Sequence, residues 1–213
     1  MLVRHGESTN NTGRIATSAP DGYPLTERGR GQAADVAGEL ADPASVRYAG
    51  LVQRVYSSTI QPAIQTAQIA GGRLRAPVTV VDGLQEIDVG IFEGRSEREL
   101  PLDGAVNFRR WLGDGDLDHG FVGGETARQV ATRVSAALAD VAARHDGGTV
   151  VVVSHGGALV LTLPRLCWNL SPAFVQDRLL DNCDAVTVEV AGDEWTCSWW
   201  AGVRCHAWPT RPG

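Results

Sequence analysis

Two stretches of this chain carry residue types that can do chemistry together. Arg4-His5-Gly6 follows the apolar pair Leu2-Val3, and Ser154-His155-Gly156-Gly157 follows an unbroken run of valines. Each is an apolar strand-like run, then a histidine, then a glycine that permits a sharp turn. Arginine offers a rigid fork of donors that suits phosphate. A neutral imidazole can act as nucleophile or base. In a parallel sheet both histidines emerge at the carboxyl edge of the strands, where open α/β sheets bind ligands. The pair suits a phosphoryl group, with one imidazole attacking phosphorus and the other donating to its oxygens. Taken singly, each is also compatible with a structural histidine at a strand end.

The elements that must position these residues alternate between strand and helix. Thr26 reads as a helix N-cap, followed by Ala33, Val36, Ala37 and Leu40 at helical spacing. Residues 52–58 read as a strand ending in Ser57-Ser58, and 59–70 as a helix with Pro62 in its first turn. A short β-branched strand follows at 78–81. Thr126 and Gln129 form a capping box ahead of a buried stripe, Val130, Val134, Leu138 and Val141. Residues 149–154 make the clearest strand, β-branched throughout and suited to a central parallel position. A helix follows over 158–166. Residues 184–190 and 195–200 read as a terminal hairpin. Residues 10–24 read as loop. The expected fold is a three-layer α/β/α sandwich with a mostly parallel sheet, in one domain spanning 1–213. An insertion over about 88–124 is expected to roof the site.

The bulk numbers exclude several classes. The net charge of −6 over 213 residues offers no basic face for nucleic acid. All 19 basic residues are arginine, so every fixed positive charge is a guanidinium. No apolar run reaches membrane-span length, and the apolar start at Met1 does not read as a leader. The four cysteines, Cys167, Cys183, Cys197 and Cys205, show no CxxC spacing. A zinc site from Cys183, Cys197, Cys205 and His206 is a minor reading beside buried free thiols. A reduced, cytoplasmic protein is the expectation. Trp195, Trp199, Trp200 and Trp208 read as packing for the last hairpin, with a homodimer contact or a pocket wall as the alternatives.

In its order of motifs the chain resembles the histidine phosphatase superfamily, the phosphoglycerate mutase-like proteins. Arg4-His5-Gly6-Glu7-Ser8 with Asn11 resembles the first signature. Pro24-Leu25-Thr26, Gly29 and Gln32-Ala33 resemble the segment that follows it. Tyr56-Ser57-Ser58 with Gln65-Thr66-Ala67, then Leu84-Gln85-Glu86 with Gly90 and Glu93-Gly94, continue the pattern. Gly123-Gly124-Glu125-Thr126 and Ser154-His155-Gly156-Gly157 complete it, in a form closer to the phosphatase branch than to the mutases. The resemblance implies that His5 carries a phosphohistidine, that Arg4, Asn11, His155 and Gly156 surround the phosphoryl oxygens, and that Glu86 is the acid and base. Asp88 and Glu93 are the alternative carboxylates. No metal or cofactor is implied. The substrate would be a small organic phosphate.

One position departs from the pattern. The family carries a second arginine four residues before the Thr66 position, and here that residue is Pro62. Arg54, Arg95, Arg98, Arg109 or Arg110 are the candidates to replace it. Arg109 and Arg110, in the expected roof, are also candidate substrate-binding residues, against the plain reading of solvated helix residues. The leading expectation is therefore a metal-independent phosphomonoesterase. The alternative is a fold recruited to ligand binding or other acid-base chemistry, with a phosphoglycerate mutase third.

Overall fold

The computed structural model describes residues 1–42, 51–100, 107–145 and 147–206. Its centre is a seven-stranded mixed sheet. In chain order the strands are β1 (Leu2–Arg4), β2 (Val52–Ser57), β3 (Val78–Val80), β4 (Thr149–Ser154), β5 (Ala185–Ala191), β6 (Glu194–Trp200) and β7 (Val203–Arg204). The spatial order is β3-β2-β4-β1-β5-β6-β7. β3, β2, β4 and β1 pair in parallel, and β5, β6 and β7 continue the sheet antiparallel. The parallel half is the half with helical crossovers, and the antiparallel half is the hairpin read at 184–200.

Successive strand residues face opposite layers, as the pleat requires. Val3, Val55, Val151 and Val153 pack beneath α2 (Glu27–Ala41) and α3 (Gln61–Leu74). Leu2, Tyr56, Val152 and Val186 pack against two helices on the other side, α4 (Ala127–Ala143) and α5 (Gly156–Leu166). The stripe Val130, Val134, Leu138 and Val141 is buried as its spacing requires, and the Thr126–Gln129 capping box forms. The valine strand β4 lies between β2 and β1, covered on both faces.

Three local features differ from the pattern-based reading. The 10–24 stretch begins with a short helix, α1 (Thr9–Gly13), held by a capping box between Ser8 and Asn11. It buries no residue, so it leaves no apolar period to detect. The helix expected at 59–70 starts two residues later, with Ile60 at the N-cap and Pro62 in its first turn. A further short helix, α6 (Pro172–Gln176), is set by its Ser171 cap. The insertion expected over about 88–124 falls partly outside the described residues; its described part includes a wide turn over Arg109–Gly113. Trp208 also lies outside the described residues. Among the described residues no helix is long and apolar enough to cross a membrane.

Candidate active site

β1 and β4 are neighbours, with Arg4 opposite Ser154, so the two histidines leave the sheet side by side. The His5 N–H donates to the Ser154 carbonyl at 3.0 Å, which locks the two strand ends together. The imidazole centroids stand 5.0 Å apart with the rings tilted by 60°. Both side chains are almost fully buried.

The His5 ring is fixed by its own turn. Its Nδ1 lies 2.7 Å from the Gly6 carbonyl oxygen, which can only accept, so Nδ1 carries the proton. The neutral ring then has its lone pair on Nε2. Burial, followed by the field of His155 and of Arg4, pushes the His5 pKa down to about 3, against the Gly6 hydrogen bond and Glu86, which oppose the shift. At neutral pH this is an uncharged imidazole with a defined tautomer. Gly6 is required here: a Cβ would stand 2.4 Å from the Gly29 carbonyl oxygen. Its N–H donates to the Thr66 hydroxyl at 3.0 Å.

The His155 ring is held from another strand. Its Nε2 and the Ser58 hydroxyl, at the end of β2, are 2.7 Å apart. Burial first, then Arg4 and Arg133, pushes its pKa down to about 3 as well.

Arg4 donates through Nη1 to the Leu180 carbonyl at 2.5 Å. Among the described residues its buried Nε has no partner. Gly156 lets the guanidinium lie against the first turn of α5, since a Cβ there would be 3.2 Å from Arg4 Nε. An unpartnered charged donor in a buried site is costly unless an anion meets it. Asn182, which the motifs did not single out, donates from Nδ2 to the His5 carbonyl at 3.0 Å and to Asn11 Oδ1 at 3.1 Å. It ties the turn before β5 to the two signature residues.

Glu86 reaches the start of α5. Its Oε1 accepts from the Ile87 N–H at 3.0 Å and the Ala158 N–H at 2.8 Å, and its Oε2 accepts from the Gly157 N–H at 3.0 Å. The helix N-terminus is a natural seat for a carboxylate. A Cβ on Gly157 would come within 2.6 Å of Glu86 Oε1, so this seat needs glycine. Arg133, also missed in the sequence, holds the loop from behind. It donates to the carbonyls of Gly83, Gln85 and Glu86 and pairs with Glu125 at 2.6 Å.

Arg4, His5, Asn11, Glu86, His155 and Gly156 all line one cavity of about 490 Å³, together with Pro62. Arg109 and Arg110 do not line it: Arg109 is exposed, and Arg110 pairs with Asp116 at 2.6 Å, which satisfies it six residues along its own loop. Arg54 is bonded to Thr79 and Arg95 lies over Phe92, and neither they nor Arg98 reach the cavity. Among the described residues Arg4 is its only guanidinium. Asp88 and Glu93, the alternative carboxylates, are engaged with the Gly90 N–H and with Thr17 and Ser18, and do not line it. Cys197 and Cys205 are neighbours, with sulfurs 3.6 Å apart, but Cys183 packs against the opposite face of the sheet. Those thiols are therefore not gathered as one set of ligands.

Residues 1–202 match the histidine phosphatase superfamily (branch 1). The chain belongs to this family. It is 33% identical over 203 residues to a probable phosphoglycerate mutase GpmB of Salmonella choleraesuis, covering 93% of this chain and 88% of that one. Among solved structures it resembles phosphoserine phosphatase of Entamoeba histolytica in complex with 3-phosphoglyceric acid. There the TM-score is 0.74 and the identity 25%, with 93% of this chain and 94% of that one covered. A mycobacterial glucosyl-3-phosphoglycerate phosphatase has the same fold, with a TM-score of 0.77 at 24% identity, covering 93% of this chain and 96% of that one. Arg4-His5-Gly6 and Ser154-His155-Gly156 lie within the matched region, at the carboxyl ends of two adjacent interior strands.

Proposed function

We propose that this chain is a metal-independent phosphomonoesterase that passes the phosphoryl group of a small organic phosphate through His5. The observation that carries the reading is the pairing of two features on one floor. One is a neutral His5 whose Nδ1 proton is committed to Gly6, leaving Nε2 to attack. The other is a buried Arg4 Nε that has no partner among the described residues. His5 Nε2 forms a bond to phosphorus as the ester P–O bond breaks, and the leaving oxygen takes a proton from Glu86. Water then attacks the phosphohistidine, gives its proton to Glu86, and the P–N bond breaks to return neutral His5. Arg4, His155 and Asn11 stabilise the phosphoryl oxygens, which is where most of the rate of phosphoryl transfer originates. With Nε2 accepting from the Ser58 hydroxyl, His155 donates to the phosphoryl oxygens from Nδ1.

The relatives' names span hydrolysis and mutase chemistry. Phosphorus NMR of the products separates them: the reading expects inorganic phosphate, and migration of phosphate within a phosphoglycerate would contradict it. A second reading, a site with weak phosphoryl transfer, is favoured by Pro62 standing in the cavity wall where the resemblance expects an arginine. If that loss limits the rate, Pro62→Arg raises turnover of p-nitrophenyl phosphate by about tenfold or more, the value of one charge-assisted hydrogen bond. An unchanged rate would show that no phosphate donor is missing.

A further inference from the structure

The walls of the cavity differ in kind from its floor. Ile15, Phe108, Trp111, Phe121, Val160 and Leu179 all line it. Trp111 is fully buried, stacked edge-on with Phe108 and Phe121, and its Nε1 is used by the His119 carbonyl at 3.0 Å. This aromatic group is therefore a packed surface with no donor turned to a ligand. Among the described residues the only charged side chains in the lining are Arg4, Glu86 and Glu97. Arg4 belongs to the phosphoryl floor, and the other two are acids. A second anionic group on a substrate would find no further cation among the described residues and would meet the Glu97 carboxylate.

We propose that the site takes phosphate monoesters of uncharged, mainly apolar alcohols and discriminates against esters with a second anion, such as 3-phosphoglycerate or phosphoserine. The proposal rests on the phosphatase reading for its reaction, but the preference itself is a property of the walls. An apolar leaving group gains from leaving water for such a wall. A carboxylate in the same place would be desolvated with no counter-charge, only the neutral polar groups of Asn10, Thr17, Tyr23 and Asn107. The volume of about 490 Å³ accommodates a leaving group of one or two rings beside the phosphoryl group.

Two measurements test this, the second of them separately from catalysis. Ethyl and butyl phosphate have leaving groups of nearly equal basicity, so their chemistry is matched. Each added buried methylene should multiply kcat/KM by about three- to fourfold, putting butyl phosphate roughly tenfold above ethyl phosphate. Both should exceed 3-phosphoglycerate. Calorimetry with non-hydrolysable butylphosphonate and 3-phosphonopropionate compares the same preference without turnover, and butylphosphonate should bind at least tenfold more tightly. Equal or tighter binding of 3-phosphonopropionate overturns the proposal even if phosphatase activity is strong. If no ester is hydrolysed, the phosphatase reading fails, and the two phosphonates still decide the preference. Leu179 is half-exposed, so Leu179→Arg should fold. It should narrow the gap between the phosphonates by giving the carboxylate a guanidinium, and a gap that stays put counts against the proposal.

Discussion

β1 and β4 run side by side, and each delivers an imidazole to the same floor. His5 is held by the carbonyl of the next residue, so its orientation is set within a single turn. His155 is held by Ser58, which comes from the neighbouring strand β2. One ring therefore has a tautomer fixed by an obligatory acceptor. The other faces a hydroxyl that can donate or accept, so it can change its hydrogen-bond role. The chain also leaves the two strands differently. After His5 it packs against Gly29 with no room for a Cβ, whereas His155 caps α5. The difference fits the proposed roles, the nucleophile's part for the locally fixed ring and the responsive part for the ring fixed by tertiary contacts.

Breaking the floor beneath both rings should have the largest effect. Arg4→Ala removes the cavity's one guanidinium among the described residues, and kcat/KM for an aryl phosphate should fall by about 10²–10³. A fall below tenfold would mean that another cation serves the phosphoryl group. Ser58→Ala tests the asymmetry more finely. It frees His155 while leaving the His5–Gly6 bond intact, and one neutral hydrogen bond corresponds to a loss of about two- to tenfold in kcat. The pH profile of kcat should move with it, since the His155 ring alone has lost its partner. An unmoved profile would contradict the responsive role.

The smallest effect at neutral pH concerns stability, and acid makes it visible. Both histidines are held near a pKa of about 3 in the folded chain, against an ordinary value of 6.5 when unfolded. As pH falls from about 6.5 towards 3, the unfolded chain binds protons that the folded chain refuses. Their joint contribution therefore lowers stability across that window and adds no further change below it. Urea unfolding of His5→Gln should show a shallower loss between pH 7 and pH 5 than the parent protein. Equal slopes would mean that His5 is not the refusing group.

The floor was legible in the sequence and the walls were not. An apolar run, a histidine and a glycine form a local signal, and the parallel pairing of β1 with β4 then brings the two signals together. Glu86 was legible by its place in the family's order, although its seat on the α5 N-terminus depends on Gly157 and so on tertiary structure. The mixed sheet follows from helical crossovers on one side and the hairpin on the other. Asn182 and Arg133 lie at unremarkable positions and act only through carbonyls and side chains brought near by the fold. The apolar walls come from segments far apart in the chain, around Ile15, Phe108, Phe121, Val160 and Leu179, and no spacing links them. The arginine pair at 109–110 looked like a binding motif, but Asp116, six residues beyond Arg110, takes the second of them.

The central claim is that phosphorus passes through His5. Glu86→Gln removes the proposed base for water, so mixing it with an aryl phosphate should accumulate the intermediate. Mass spectrometry after rapid denaturation at alkaline pH should then find one phosphoryl group per chain, on the peptide containing His5. A chain that turns over substrate with no phosphoryl group on His5, or with one on a different residue, would contradict the account.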